Sequence, residues 1–182
     1  MTDTSQLSIY EKTFAKSIKT DAILVVDGKK LHVNKALLSC HSDYFCTLFN
    51  SDFKEKSMEE IEIKDVDFED FAGVLSLVHP NPIVPMIGNA EKLLELADRF
   101  LLPAAKHYLE LFIGTTQMDK LQKLRIADKY DLGVLRDHAV LLYESKNDFY
   151  DIYRRTSTFS DRTRSKLYGR YFYLAMLNSF PL

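Results

Sequence analysis

The sequence predicts an α+β fold, a small strand-containing domain followed by an all-helical C-terminal extension, and three observations lead there. Strand periodicity is confined to residues 22–33 and 60–64, helical periodicity takes over completely from Asn89, and the helical part matches itself at an offset of 30 residues. The chain has 182 residues, 46% hydrophobic and 27% charged, with six glycines and five prolines, which excludes disordered, collagenous and coiled-coil classes. A chain of that size buries one good core with a helical annex and is too short for two large domains.

Ala22 to Val26 is a continuous apolar run, Asp27-Gly28 follows, and Leu31 and Val33 then alternate with polar neighbours. That pattern is a β-hairpin whose two-residue turn demands positive φ. After Asn34 the period changes: Ala36, Leu37, Leu38 and Cys40 read as one short helix, and Tyr44, Phe45, Leu48 and Phe49 as a second, with Ser42 as N-cap between them. Lys54 to Ser57 reads as a charged loop, and Glu60-Ile61-Glu62-Ile63-Lys64 alternates as a half-buried strand. Asp67 is placed to cap a helix whose apolar stripe is Phe71, Val74, Leu75 and Val78, and His79-Pro80 ends it.

In the helical part, Leu94, Ala97, Asp98, Arg99, Phe100, Leu102 and Leu111 align with Leu124, Ala127, Asp128, Lys129, Tyr130, Leu132 and Leu141. The unit is a helix pair, with its first helix stopping before Pro103 in one copy and before Gly133 in the other. Past Asn147 the chain turns aromatic and basic, from Phe149 and Tyr150 to Arg170, Tyr171, Phe172 and Tyr173. Interleaved bases and rings can hold single-stranded nucleic acid. The favoured reading is amphipathic helix packing on the repeat, because Leu167, Tyr171, Leu174 and Met176/Leu177 recur near the helical period.

Net charge is −2 and the isoelectric point is near 6.2, so neither a nucleic-acid nor a membrane partner is expected. The start, Met1 to Gln6, is polar and no apolar run reaches 18 residues; a cytoplasmic or nuclear location is expected. Cys40 and Cys46 are the two cysteines and read as buried reduced thiols. Enzyme chemistry finds no scaffold. The glycines are too scattered for a phosphate loop, no two histidines stand four apart, and no glycine-flanked turn surrounds Ser39 or Ser42. Cys40, His41 and Cys46 lack a fourth ligand, and adjacent side chains on a helix diverge by about 100°, so no metal site is expected. No catalytic residue and no cofactor is assigned, and a binding module is the expected class.

The run from Thr20 to Ser39 resembles the opening hairpin and first helix of the BTB/POZ domain family. The resemblance continues through Ser42-Asp43-Tyr44-Phe45, Leu48-Phe49, Phe53-Lys54-Glu55, Ile61-Glu62-Ile63, Phe68-Glu69-Asp70-Phe71 and Leu93-Leu94-Glu95-Leu96-Ala97-Asp98, covering about residues 20 to 113. It implies a small mixed β-sheet flanked by α-helices, and a division into an N-terminal dimerisation segment (1–19), a BTB/POZ domain (20–114) and a helical extension of the BACK or 3-box kind (115–182). Three departures stand out. Asn34 replaces the family's usual His, His79-Pro80-Asn81 replaces Tyr-Thr-Gly, and no stretch resembles a MATH, kelch or zinc-finger region.

The resemblance implies protein binding, commonly as a homodimer, and in many members a bridge between a protein substrate and the cullin-3 ubiquitin ligase; the substrate is not identified. Phe53-Lys54-Glu55 is similar to the family's hydrophobic-x-Glu cullin contact, with Tyr44 lining the same cleft. An exposed Phe supplies an anchor and Glu55 a charge-assisted bond; the competing reading folds Phe53 into the domain's own core. For Phe45 core packing is favoured. The helix pair from Asp119 to Tyr143 sits where the cleft's extension is expected. Ile9, Phe14 and Ile18, with Leu7, have no evident strand partner in the domain, and the resemblance implies that their segment packs across a two-fold axis. Asp21 and Lys35 match a charged pair at the same interface, Lys having the charge of the usual Arg without its bidentate fork. The alternative function is a BTB oligomerisation scaffold without a ubiquitin-ligase role. With no target-reading region recognised, either the helices and dimer surface read the target or another chain does.

Overall fold

The computed structural model describes residues 7–50, 60–153 and 156–177. Two compact units divide between Leu109 and Glu110.

In the first unit β1 (Ala22–Val26) and β2 (Lys29–Val33) pair antiparallel, from Ala22 opposite Val33 to Val26 opposite Lys29. Asp27 and Gly28 both take positive φ, 49° and 73°, the turn whose twist matches that of the strands. β3 (Glu60–Glu62) joins β1 in parallel, giving a mixed sheet of order β2-β1-β3. The ladder is shorter than the alternation in the sequence, although Ile61 and Ile63 are both buried and the Ile63 N–H still donates to Val25 O at 2.9 Å. It stops where Asp65 turns to φ 61°.

α2 (Lys35–His41) begins at Asn34, whose Oδ1 accepts from the Leu37 N–H while its Nδ2 donates to Lys19 O, both at 2.7 Å. The residue that departs from the family's usual His is therefore both a helix cap and a strap on the preceding segment. α3 (Asp43–Asn50) starts on buried Ser42, whose hydroxyl accepts from the Phe45 N–H and donates to Phe100 O at 2.6 Å. α4 (Phe68–Ser76) is capped by Asp67 through the Glu69 and Asp70 N–H groups. Its stripe Phe71, Val74 and Leu75 is fully buried. α5 (Ala90–Arg99) adds Leu93, Leu94 and Leu96. The centre is aromatic: Phe100 lies 4.9 Å from Phe71 and 6.0 Å from Phe45, each ring contributing about 2–3 kcal/mol of apolar burial. α1 (Ile9–Thr13) is held by a capping box between Ser8 and Glu11.

α6 (Pro103–Thr115) runs through the division. The second unit continues with α7 (Lys120–Lys129), α8 (Gly133–Leu141), a 3-10 turn (Lys146–Phe149), α9 (Tyr150–Tyr153), another 3-10 turn (Thr156–Thr158) and α10 (Asp161–Leu177). Its core gathers Leu124, Ala139, Val140, Tyr143, Phe149, Ile152, Phe159, Leu167 and Leu174. Carboxylates fasten the later elements to the helix pair. Asp128 accepts from the Ser160 N–H and hydroxyl, and Asp131 accepts from buried Arg136 and from Arg162.

Two expectations change. Both cysteines are free thiols, but Cys40 is exposed, because α2 buries only Leu38, and Cys46 is half-buried. On α10 the buried stripe is Thr163, Leu167 and Leu174, a narrower face than the sequence suggests, and Tyr171, Met176 and Leu177 lie outside it. The loop expected over Lys54 to Ser57 falls outside the described residues.

Candidate functional site

Tyr44 occupies the first turn of α3 and is half-buried. Its ring meets Phe45 edge-on at 5.2 Å and Phe100 at 5.0 Å, so the core fixes one side of it and leaves the other accessible. Such a ring offers apolar area at little entropic cost, with a hydroxyl for a polar partner. Asp43 and Thr47 are exposed on the same helix, while Phe45 is fully buried, as its core reading requires. Phe53 and Glu55 lie outside the described residues.

The N-terminal segment divides sharply. Leu7, Ile9 and Ile18 are exposed, Ile9 to 58% and Ile18 fully. Phe14 is 1% exposed, so its expected place at the two-fold axis is corrected: it is buried within its own chain. Its ring lies 5.1 Å from that of His79 and its carbonyl accepts from the His32 N–H at 3.0 Å. Phe14 caps the core of its own chain because it follows a helix that docks on α4, where Tyr10 approaches Gly73. Within one chain the Asp21 and Lys35 side chains are engaged elsewhere: Asp21 Oδ1 accepts from the backbone N–H of Lys35 at 2.7 Å, and Lys35 Nζ sits 5.9 Å above the Phe49 ring.

Burial lowers the proton affinity of His79 and, helped by Glu69 and Asp70, pushes the Tyr10 phenol up. Asp70 is raised, first by burial and then by Asp67 beside it. In the second unit the Lys120 ammonium and the Ser145 backbone hold Asp148 far below the usual carboxylate range, and burial pushes Tyr143 up to about 12. Lys123, 3% exposed, is lowered by burial and donates to the carbonyls of Gly114 and Thr116, closing the end of α6. These groups are spread over separate elements. Among the described residues no group of three or more His, Cys, Asp or Glu side chains is placed to hold a metal ion, and no helix is long and apolar enough to cross a membrane.

The sequence gives little warning of three features: the exposed apolar residues Val84, Met86 and Ile87 between α4 and α5, the buried cation Arg136, and the exposed rings of α10. Only the aromatic density after Asn147 hints at the last.

A family model for the BTB/POZ domain matches residues 10–117. The chain is 35% identical over 130 residues to BTB and MATH domain-containing protein 36 of Caenorhabditis elegans, covering 71% of this chain and 41% of that protein. It is 33% identical over 153 residues to BTB and MATH domain-containing protein 38 of the same organism (81% and 39%) and 26% identical over 151 residues to mouse Kelch-like protein 22 (82% and 23%). The solved BTB domain of human gigaxonin aligns with 62% of this chain and 99% of its own length, at 21% identity and a TM-score of 0.46. The chain spans about two fifths of the length of the two nematode relatives. From the mixed sheet, the flanking helices and the family match, the chain belongs to the BTB/POZ domain family, a family of protein-interaction modules.

Proposed function

We propose that the chain is a homodimeric adaptor that brings a protein substrate to a cullin-3 ubiquitin ligase. Tyr44 carries the reading: it is an aromatic side chain held rigidly at the start of α3 with one side left accessible, and Phe53-Lys54-Glu55 follows it closely in the sequence. A ring braced by Phe45 and Phe100 loses little freedom on binding, which favours its use as an anchor. The exposed Ile9 and Ile18 support the homodimer, since covering them removes isolated apolar surface from water. A dimer would present two cullin sites and so bind a multivalent target more tightly than a monomer. The reading carries a cytoplasmic or nuclear location with it.

Calorimetry with the N-terminal domain of cullin-3 tests the adaptor role. Wild type is expected to bind, and Tyr44→Ala, Phe53→Ala and Glu55→Ala each to weaken binding by about tenfold or more. An absence of wild-type binding overturns it. The exposed Leu7, Ile9 and Ile18 also favour a second reading, an oligomerisation scaffold without a ligase role. A dimer by light scattering that Ile9→Asp converts to monomer, together with no cullin binding, selects that reading.

A further inference from the structure

We infer that the second unit carries a docking cleft for a short acidic peptide segment of another protein, anchored by a leucine or an aromatic side chain. This goes beyond the adaptor reading and does not depend on it.

α10 turns Thr163, Leu167 and Leu174 inward and leaves Tyr168, Tyr171 and Phe172 exposed, Phe172 to 62%; Tyr150 on α9 is exposed to 75%. These rings border a half-open cleft of about 780 Å³ lined by residues of α10 and by Lys146, Asn147, Phe149, Tyr150, Ile152 and Thr156. Buried Phe149, Ile152 and Leu167 lie at its base, and Tyr150, Tyr171 and Phe172 stand around it. Phe149 meets Tyr171 edge-to-face at 5.5 Å, which holds one wall in place. A volume of this size, apolar at the base with a few polar groups, is that of a ligand site, and clustered exposed Tyr and Phe are typical anchor partners.

Charge selects the occupant. Lys146 is the one charged residue among those described as lining the cleft, and it has no carboxylate partner among the described residues. An acidic group beside the apolar anchor would complement it. The basic residues of α10 disfavour nucleic acid, although bases and rings alternate there. Arg162 pairs with Asp131, Arg164 with Asp161 and Lys166 with Asp137, while Arg170 donates to the carbonyls of Tyr143 and Leu141. The rings remain, but these four described cations, which a phosphate backbone would need, are already engaged. An open side admits a chain segment that continues past the anchor.

Selection of a random dodecapeptide phage library on the full chain, with Phe172→Asp as the counter-target, tests the cleft. Peptides enriched on wild type are expected to pair an aromatic or leucine residue with Asp or Glu. A synthetic copy of the most enriched peptide should bind Phe172→Asp and Tyr150→Ser more than about tenfold more weakly, and Lys146→Glu about fivefold more weakly. Replacing the peptide's acids by Lys should restore binding to Lys146→Glu. Phe172 and Tyr150 are exposed, so unchanged circular dichroism is expected to show each variant folded. The inference is overturned by no enrichment over Phe172→Asp, by enriched peptides without acidic residues, by an oligothymidylate that binds wild type but not Phe172→Asp, or by wild-type self-association that Phe172→Asp abolishes.

Discussion

The turn joining α5 to α6 and the turn joining α7 to α8 have the same backbone at an offset of 30 residues and serve different ends. Leu102 donates to Ala97 O at 2.8 Å and Leu132 to Ala127 O at 2.8 Å; Leu101 and Asp131 sit at φ 49° and 50°. Both are helix stops of the Schellman kind, whose left-handed position usually takes Gly or Asn. In the first copy that position is Leu101, half-exposed, a residue for which left-handed backbone costs about 1–2 kcal/mol. In the second it is Asp131, which tolerates the conformation better and whose carboxylate binds Arg136 and Arg162. The first turn is fastened through its backbone, Phe100 O accepting from the Ser42 hydroxyl at the start of α3; the second is fastened through a side chain, Asp131 holding Arg162 at the start of α10. The core under each turn is matched in volume but exchanged in position, Ala105 with Leu109 in one and Leu135 with Ala139 in the other, all buried. A repeat can therefore conserve backbone and total volume while its surface chemistry diverges.

The largest test of that equivalence is Leu135→Ala, which should cost about 3 kcal/mol by leaving a cavity beside Ala139, read as faster hydrogen exchange in α7 and α8. Ala105→Leu overfills the matching place and should cost about 2 kcal/mol in the first unit. Slower growth of exchange, a stabilisation of about 1 kcal/mol, is expected for Leu101→Asn, since Asn accepts left-handed backbone and little apolar burial is lost. Asp131→Leu should loosen the first turn of α10 and leave α5 and α6 unaffected in the same measurement.

The smallest effect separates the units by pH. His79 is lowered by burial, so its folded form prefers the neutral ring; its stabilisation is present above the ordinary His value of about 6.5 and fades as pH falls through the lower folded value. Asp131 is lowered, chiefly by its bond from Arg136 and then by Arg162. Asp128 is also lowered: burial opposes this, but the Ser160 and Thr163 bonds outweigh it. Their stabilisation is present above the ordinary Asp value of about 3.9 and is lost below it. Mild acid from about pH 6.5 downward should therefore loosen the first unit before the second. His79→Phe should remove that mild-acid step; if the step persists, its assignment to His79 fails.

Much of the first unit is legible locally. Asp27-Gly28 demands positive φ, Ser42 and Asp67 have the chemistry and place of N-caps, and Phe71, Val74 and Leu75 recur at the helical period. The cap that Asn34 makes on α2 was not read from the sequence, and its second bond, to Lys19, joins segments 15 residues apart and has no local signature. The candidate site is less legible. Tyr44 and Phe45 are adjacent aromatics of similar size, and only the packing of Phe100 and Phe71 decides which is buried. Ile9 and Phe14 are likewise both apolar residues of one short segment, and the docking of α1 on α4 exposes one and buries the other.

The sequence by itself determined where β1, its turn, α2, α3, β3 and α4 begin, because those depend on backbone freedom, capping groups and apolar period within a few residues; α1 was not read from it. Tertiary structure alone decided the parallel seat of β3 beside β1, the core position of Phe14, the use of Asp131 as a fastening and the exposure of the α10 rings. Each of these depends on which distant surfaces meet, and burial is a property of that meeting, with no trace in the hydrophobicity of the residue itself.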